Sequence, residues 1–451
     1  MDIDAHMARQ TETAEPASRA ERTSLHNSFT ESRPGNDTDA DRIIPKVLSL
    51  SCVYPNPAQP GLGLFVQRRL QHLAELVPLE VVAPFSVVQY GSIKGSRFRF
   101  GKNRCPKPRK DGNVEVFYPH WIYPPLAGSL SAVWLFLALL LPIAQIRKRF
   151  AFDIIDTHFG HPEGVAGYFL SLALRIPFTM TLRGNEPRHG AAGLGRRLMS
   201  LALRRASRVF TVSERLRQFA IGLGAEPGKV KTIPNGVDTS VFFARDRVQS
   251  RVRHRLPLDR PLILSAGALV ERKGHHRIVE VLGALSVSGI VPHLLIAGGP
   301  GPEGQYEGKI RRMVANLGLD QSVHFLGPIP ADAMAEFMSA VDVFCLSSTN
   351  EGWPNVVHEA LACGTPVVAT DVGAVPDMLA AGRYGHIIPV NDSDALRRAL
   401  QSALETNWDR AAISAWGQAR SWSQVAREVF TELEQVVTQN RREGVRGTAD
   451  A

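Results

Sequence analysis

The 451-residue sequence predicts an α/β protein of two doubly wound parallel-sheet domains facing a central cleft. Three observations lead there. From Lys46 onward, short β-branched runs alternate with helical segments, the pattern of βαβ units whose sheets are covered on both faces. The alternation breaks once, in a charged linker near 244–258, and then begins again. The length suits two or three domains at roughly 100–200 residues each. Composition agrees: 44% hydrophobic and 21% charged residues exclude a wholly disordered chain, a collagen or a coiled-coil rod.

Residues 1–42 are polar, lack hydrophobic periodicity and read as a disordered tail without a secretory signal. Asp37-Thr38-Asp39 matches a metal-binding DxD only formally, because it lies in that tail. The first domain, 43–245, has strands at 46–51, 79–84, 114–119, 152–157, 177–182, 208–213 and 229–234, with an amphipathic helix at 65–76. Leu126 to Ile146 carries no charge and approaches the ~20 residues of a membrane span. Pro142, Gln145 and small polar residues interrupt it, so it reads as a buried or interfacial helix, with a span as the alternative. The second domain, 246–419, has strands at 261–267, 293–299, 323–327, 341–348, 365–370 and 385–390. An amphipathic helix at 422–437 follows, then a polar, frayed tail over 439–451.

Lys and Arg number 52 against 43 Asp and Glu, a net charge of +9 that points to nucleic acid, anionic membrane or phosphorylated ligands. The excess is local. Residues 46–149 hold fourteen basic and four acidic residues, and 94–110 hold eight cations interleaved with Phe98 and Phe100. This predicts reversible docking of the first domain on an anionic membrane, with a solvated basic loop as the plain alternative. Cys52, Cys105, Cys345 and Cys363 form no CxxC and are too scattered for a disulfide framework; they read as reduced thiols of a cytoplasmic protein without a zinc site.

The most informative segment runs from Glu351 to Ala360, between two strands. Pro354 suits the first turn of a helix and Cys363-Gly364 its end. The free amides near Asn355 and Val356 then face the cleft as an anion site suited to a diphosphate. Helical side chains lean toward the N-terminus, so Glu359 is expected to share a pocket with Glu351, ionised and able to accept from a vicinal diol. Two ordinary helix-start acids are the simpler alternative. Gly267 to Gly274 places Arg272 and Lys273 on a strand-end loop, either solvated or facing a diphosphate. Gly61 and Gly63 allow backbone to approach a ligand closely but lack the third glycine of a dinucleotide fingerprint. Gly298-Gly299-Pro300-Gly301 is another strand-end turn. His158, His161 and Arg183-Gly184-Asn185-Glu186 also follow strands; for His158 a structural and a catalytic role both fit.

The seven residues between Glu351 and Glu359, with PNVVHEALACGTPVVATDVGAVPD, resemble the Glu-x7-Glu signature of retaining glycosyltransferase family 4. GALVERKGHH (267–276), HLLIAGGPGPE (293–303), VHFLGPIP (323–330) and IPNGVDTSVF (233–242) match further family segments. In the first domain, GLFVQRRLQHL (63–73), DTHFGHPEGVAGYFL (156–170) and TLRGNE (181–186) are similar to bacterial exopolysaccharide-type members. The resemblance covers roughly 46–437. It implies a GT-B fold of two Rossmann-like domains, no metal or other cofactor, and a UDP- or GDP-sugar donor held mainly by the second domain. On that resemblance Glu359 holds the ribose and Glu351, with nearby amides including those of Asn355 and Val356, the sugar. Lys273 holds the diphosphate, Gly63 lets its loop close over the phosphates, and His158 contacts the transferred sugar. The final helix, 420–438, crosses back to complete the first domain. One departure stands out: many members carry Arg where this chain has Ala268, so Arg272 is the candidate substitute. No covalent nucleophile is evident, which agrees with same-face, retaining transfer. The acceptor expected is a glycan or lipid-linked sugar of polysaccharide or glycolipid synthesis, reached in the cytoplasm or on the inner membrane face, with nucleic acid excluded as a partner. The alternatives are a nucleotide-sugar 2-epimerase and a catalytically idle membrane-assembly scaffold.

Overall fold

In the computed structural model, residues 43–449 are described except 58, 87–106, 122–127, 190–192, 286–288, 290, 302–303 and 305. Asp37 to Asp39 and the cations from Lys94 to Arg104 fall outside the described residues. Ile43–Ala451 forms one unit, in which the two strand series build two sheets.

The first sheet runs in the order Val230–Thr232, Arg208–Thr211, Phe178–Leu182, Ile154–His158, Val47–Leu50, Leu79–Val82, Val114–Phe117, Arg109–Asp111. All neighbours are parallel except the last pair. That terminal hairpin was not foreseen; its Arg109 and Lys110 read as part of a basic loop. One sheet face packs on the helices Ser131–Arg149, Val165–Leu174 and Gly193–Arg205 through Leu50, Leu135, Leu139, Ile155 and Met199. The other packs on Leu64–Leu73 and the C-terminal helix through Val47, Leu70, Ile154, Val429 and Leu433. Of the uncharged stretch read over 126–146, residues from Ser131 onward form a helix with one face in this core, and 126–127 fall outside the described residues.

The second sheet has the order Val323–Gly327, His293–Ala297, Leu262–Ala266, Val343–Leu346, Val367–Thr370, Gly385–Ile388, all parallel. The order reverses beside the first strand of each series, at Val47–Leu50 and Leu262–Ala266. Such switch points open a crevice at the carboxyl ends of the strands.

Two expectations need correction. The charged linker contains a helix, Arg247–Arg253, whose start is capped by the Asp246 carboxylate accepting from the Gln249 amide at 2.7 Å. Single capping bonds of this kind stabilise helices by roughly 1 kcal/mol, which makes a short helix viable. The last helix runs Trp422–Ala449, so the tail expected from 439 is helical over most of its length. It lies on the first domain, where Glu432 pairs with Arg208 at 2.7 Å and Arg441 with Asp153 at 2.8 Å. The chain returns beside its outward crossing: the Val237 amide donates to the Arg420 carbonyl at 3.0 Å.

Candidate active site

The helix Asn355–Ala362 starts where the strand Val343–Leu346 has ended and its loop has entered the crevice. Pro354 takes the capping position, one residue before the place expected for it, and Asn355 is the first helical residue. No side chain caps this start, and its first residues, Asn355 and Val356, line the cavity. Helix N-termini of this kind attract anions. Glu351 reaches Lys273 Nζ at 2.6 Å and Arg272 at 3.6 Å, so two cations and one carboxylate meet on the same wall. Arg272 also donates to the Asn350 carbonyl at 3.1 Å. Together these contacts hold the strand-end loop of the second domain in place.

Glu359, one and a half turns into the helix, lines the same cavity of about 500 Å³. No side chain hydrogen-bonds its carboxyl among the described residues. Burial raises the group to about 7, opposed only by the charge of Arg68. The expectation that Glu359 is fully ionised is therefore modified: near pH 7 about half of it is protonated. The helix start was expected to hold the charge, but desolvation outweighs it here.

The first domain supplies the opposite wall. Gly63 stands in the left-handed region (φ 67°) at the start of Leu64–Leu73, and a Cβ there would lie 2.3 Å from the Val53 carbonyl oxygen. Glycine alone gives this turn without strain. Phe65 lies under the Arg183 guanidinium, 5.1 Å from ring centroid to Cζ. Arg183 is held by three further bonds: to His158 Nδ1 at 2.8 and 3.3 Å and to Asn235 Oδ1 at 3.1 Å. Asn235 in turn donates to Asn355 Oδ1 across the cleft at 3.0 Å. The Glu186 carboxylate fixes the turn by accepting from the amides of Gly160, Arg183 and Gly184.

His158 does not project into the cavity. It is the last residue of the strand rather than the first beyond it, and its side chain is fully buried. Alternation puts it on the same sheet face as Asp156. Its Nδ1 accepts from Arg183, so the proton sits on Nε2, facing Ser49 Oγ at 3.1 Å and Asp156 Oδ2 at 3.3 Å. Burial, aided by the charges of Arg183 and Arg69, lowers the imidazole to about 3 despite Asp156, and keeps it neutral. Burial disfavours the Asp156 carboxylate, but Arg69, His158 and Thr179 outweigh it and lower the group to about 2. His158 thus orients Arg183, which lines the cavity in its place.

Of the residues singled out in the sequence, the structure brings Gly63, Arg272, Lys273, Glu351, Asn355, Val356 and Glu359 to one cavity. Ala268 does not line it, whereas Arg272 does. Sequence reasoning missed Phe159, Asn235 and Trp353 as wall residues. Phe159 carries a positive φ of 74°, which no sequence pattern announces. It also missed the contact between Gly184 and Gly352: a Cβ on Gly352 would lie 1.9 Å from the Arg183 carbonyl oxygen. The two domains touch there backbone to backbone. Among the described residues, no group of three His, Cys, Asp or Glu side chains is placed to hold a metal.

Known proteins resemble this chain in sequence and fold. The family model described as "Glycosyl transferases group 1" matches residues 246–420, and that described as "Glycosyltransferase Family 4" matches 100–241. A teichuronic acid biosynthesis glycosyltransferase, TuaC, described as putative, from Bacillus subtilis is 28% identical over 79% of this chain and 88% of its own length. A D-inositol 3-phosphate glycosyltransferase from Acidothermus cellulolyticus is 28% identical over 62% of this chain and 66% of its own. Among solved structures, sucrose-phosphate synthase from Thermosynechococcus elongatus superposes with a TM-score of 0.65 at 20% identity, covering 90% of this chain and all of that one. Anabaena Alr3699/HepE in complex with UDP and glucose gives 0.65 at 20% identity over 86% of this chain and 99% of that one. These superpositions show the GT-B arrangement.

Proposed function

Because the chain belongs to the family 4 glycosyltransferases, we propose that it moves a sugar, with retention, from a UDP- or GDP-sugar to a glycan or lipid-linked acceptor of bacterial polysaccharide or glycolipid synthesis. The observation that carries this reading is the cavity wall. A helix start, Lys273 and Arg272 converge where a diphosphate fits, and the unbonded Glu359 carboxyl stands where a ribose diol fits. UDP in the Alr3699/HepE structure, and the name of a GDP-mannose-dependent mannosyltransferase that is 32% identical over 46% of this chain, support that class of donor.

In this reading the bond between the anomeric carbon and the diphosphate breaks with its electron pair going to the phosphate oxygen. Lys273 Nζ and the helix amides stabilise the charge that develops there. Preorganised groups of this kind are worth roughly 2.7–4 kcal/mol each. The acceptor hydroxyl bonds to the same face of the anomeric carbon and gives its proton to the departing phosphate. Glu351 holds Lys273 in position and meets the sugar, Gly63 lets the opposite loop approach the phosphates, and the second domain needs no metal to hold the donor. We place the reaction in the cytoplasm, a reading that the unpaired thiols Cys52, Cys345 and Cys363 support.

A thermal-shift screen with nucleoside diphosphates and their sugars tests the proposal. A ligand at a hundredfold excess over its Kd stabilises the folded state by about 2.7 kcal/mol. UDP or GDP should raise the melting temperature. No shift with any nucleotide would overturn the reading, and conversion of a bound nucleotide sugar to its 2-epimer without an acceptor would identify an isomerase instead.

A further inference from the structure

The helix Ser131–Arg149 is apolar on two sides. Leu135, Leu139 and Ile143 are fully buried against the first sheet. On the other side Trp134 and Leu137 are each 50% exposed and Leu141 is 75% exposed. Positions 134, 137, 141 and 148 fall on one stripe at helical spacing, so the apolar row ends at Lys148. The two neighbouring helices in the layer, Val165–Leu174 and Gly193–Arg205, add exposed Leu172, Leu194 and Leu201. These three helices carry six of the sixteen large apolar side chains exposed among the described residues. They also contain seven Lys and Arg and no Asp or Glu. Arg149 is paired with Glu80 and Arg147 donates to the Leu174 carbonyl. Lys148, Arg197, Arg204 and Arg205 form no ion pair among the described residues.

We propose that the outer surface of these three helices docks on an anionic lipid bilayer. Trp134, Leu137 and Leu141 enter the headgroup boundary, and the surrounding cations hold lipid phosphates. Charge selects this partner: a helix layer that carries exposed apolar side chains and seven cations, without a single acid on its helices, matches a surface of the opposite sign. Trp at the end of an apolar row and Lys at the other suit an interface, where amphipathic rings and long cationic stems reach the headgroups. The helix is long and apolar enough to cross a membrane, with 33% of its most apolar window buried. Spanning would withdraw Leu135, Leu139 and Ile143 from the sheet they cover, whereas lying flat keeps them there. Helices of βαβ units run antiparallel to their strands, so Trp134 and Leu194 lie toward the strand ends that wall the cavity. A lipid-borne acceptor would meet the cavity there. That last point rests on the transferase reading, and the docking itself does not.

Co-sedimentation of the full chain with phosphatidylcholine vesicles, with and without phosphatidylglycerol, across a salt series tests the proposal. Binding is expected only with the anionic lipid and should fall as salt rises. The variant Trp134→Ser, Leu137→Ser, Leu141→Ser should bind roughly tenfold more weakly or worse, as should Arg197→Glu with Arg204→Glu. Both should remain folded and keep the parent's response to nucleotide, because each altered side chain is exposed on the helix surface and lies outside the cavity wall. If nucleotide response is absent in the parent too, the transferase reading fails and the docking result still stands on its own. Brominated lipid should quench tryptophan fluorescence in the parent and less in Trp134→Phe. Equal binding to neutral vesicles, unchanged binding of both variants, or binding that survives alkaline wash would overturn the proposal. So would a dimer in solution that the triple variant dissociates, since that would make the patch a protein interface.

Discussion

Replacing Glu359 with Gln separates two consequences of one buried carboxyl. Burial raises the group from 4.5 to about 7. An acid whose folded value exceeds its unfolded value binds more protons when folded between those two values. Stability therefore falls as pH rises from about 4.5 to about 7, and the whole penalty is present above 7. At pH 8 that penalty has an upper bound of roughly 3 kcal/mol, reduced because the carboxyl borders an open cavity. Gln keeps the shape and has no charge to desolvate. Glu359→Gln should thus melt at or above the parent's temperature at pH 8, with the difference shrinking as pH falls and vanishing below about pH 4.5.

Donor affinity should move the other way. An ionised carboxylate accepts from both hydroxyls of a diol through bonds of ~1.5–3 kcal/mol each, so the amide should weaken nucleotide binding roughly tenfold or more. Below pH 7 the parent's advantage should shrink as its carboxyl takes up a proton, and its affinity should converge on the variant's. The comparison matters because the phosphate of the ligand titrates in the same range. Calorimetry with UDP and GDP at several pH values, paired with scanning calorimetry of both proteins, reads both effects. A variant that melts well below the parent at pH 8 while binding nucleotide equally well would refute the reasoning, because Glu359 would then be a structural acid outside the donor site.

Lys273→Ala should lower turnover on the order of a hundredfold by removing the partner of the leaving diphosphate, and turnover within threefold of the parent would exclude that role. Arg272→Ala should also slow transfer if Arg272 substitutes for the family cation absent at Ala268; an unaltered rate would show that it does not. His158→Gln, which can still offer Arg183 an acceptor, should retain more activity than His158→Phe. Its pH–rate profile should match the parent's above pH 5, because an imidazole held near 3 does not titrate there. Gly352→Ala forces the backbones of the two domains apart at Arg183, so small-angle scattering should show a larger radius and transfer should be lost; an unchanged radius with full activity would mean the contact is dispensable.

Most of the architecture was legible because it follows local rules. Short β-branched runs such as VLSL and VVAT mark strands buried on both faces, and the spacing of Glu351 on the loop and Glu359 on the following helix brings both acids to one cavity. The errors have local causes as well. A polar C-terminal segment reads as a tail until the helix before it gives it a surface to continue along. The charged linker hid a two-turn helix because one capping carboxylate is enough to start it. His158 was misplaced by a single residue of strand length, and that residue decides whether a side chain follows the strand into the cleft or stays beneath it.

Periodicity and spacing determined the two sheets, their crevice and the acids and cations at its rim. They act between residues a few positions apart, and those residues keep their relation wherever the segment lies. The tertiary structure alone decided which charges meet. Glu351 finds Lys273 across 78 positions, Arg183 takes the cavity wall while His158 stands behind it, and Asn235 reaches Asn355 from the other domain. It also decided that Glu359, half-buried at the cavity wall, is desolvated enough to take up a proton near pH 7. Burial and Coulomb energy depend on distance and solvent in the folded chain, and segments far apart in sequence set both.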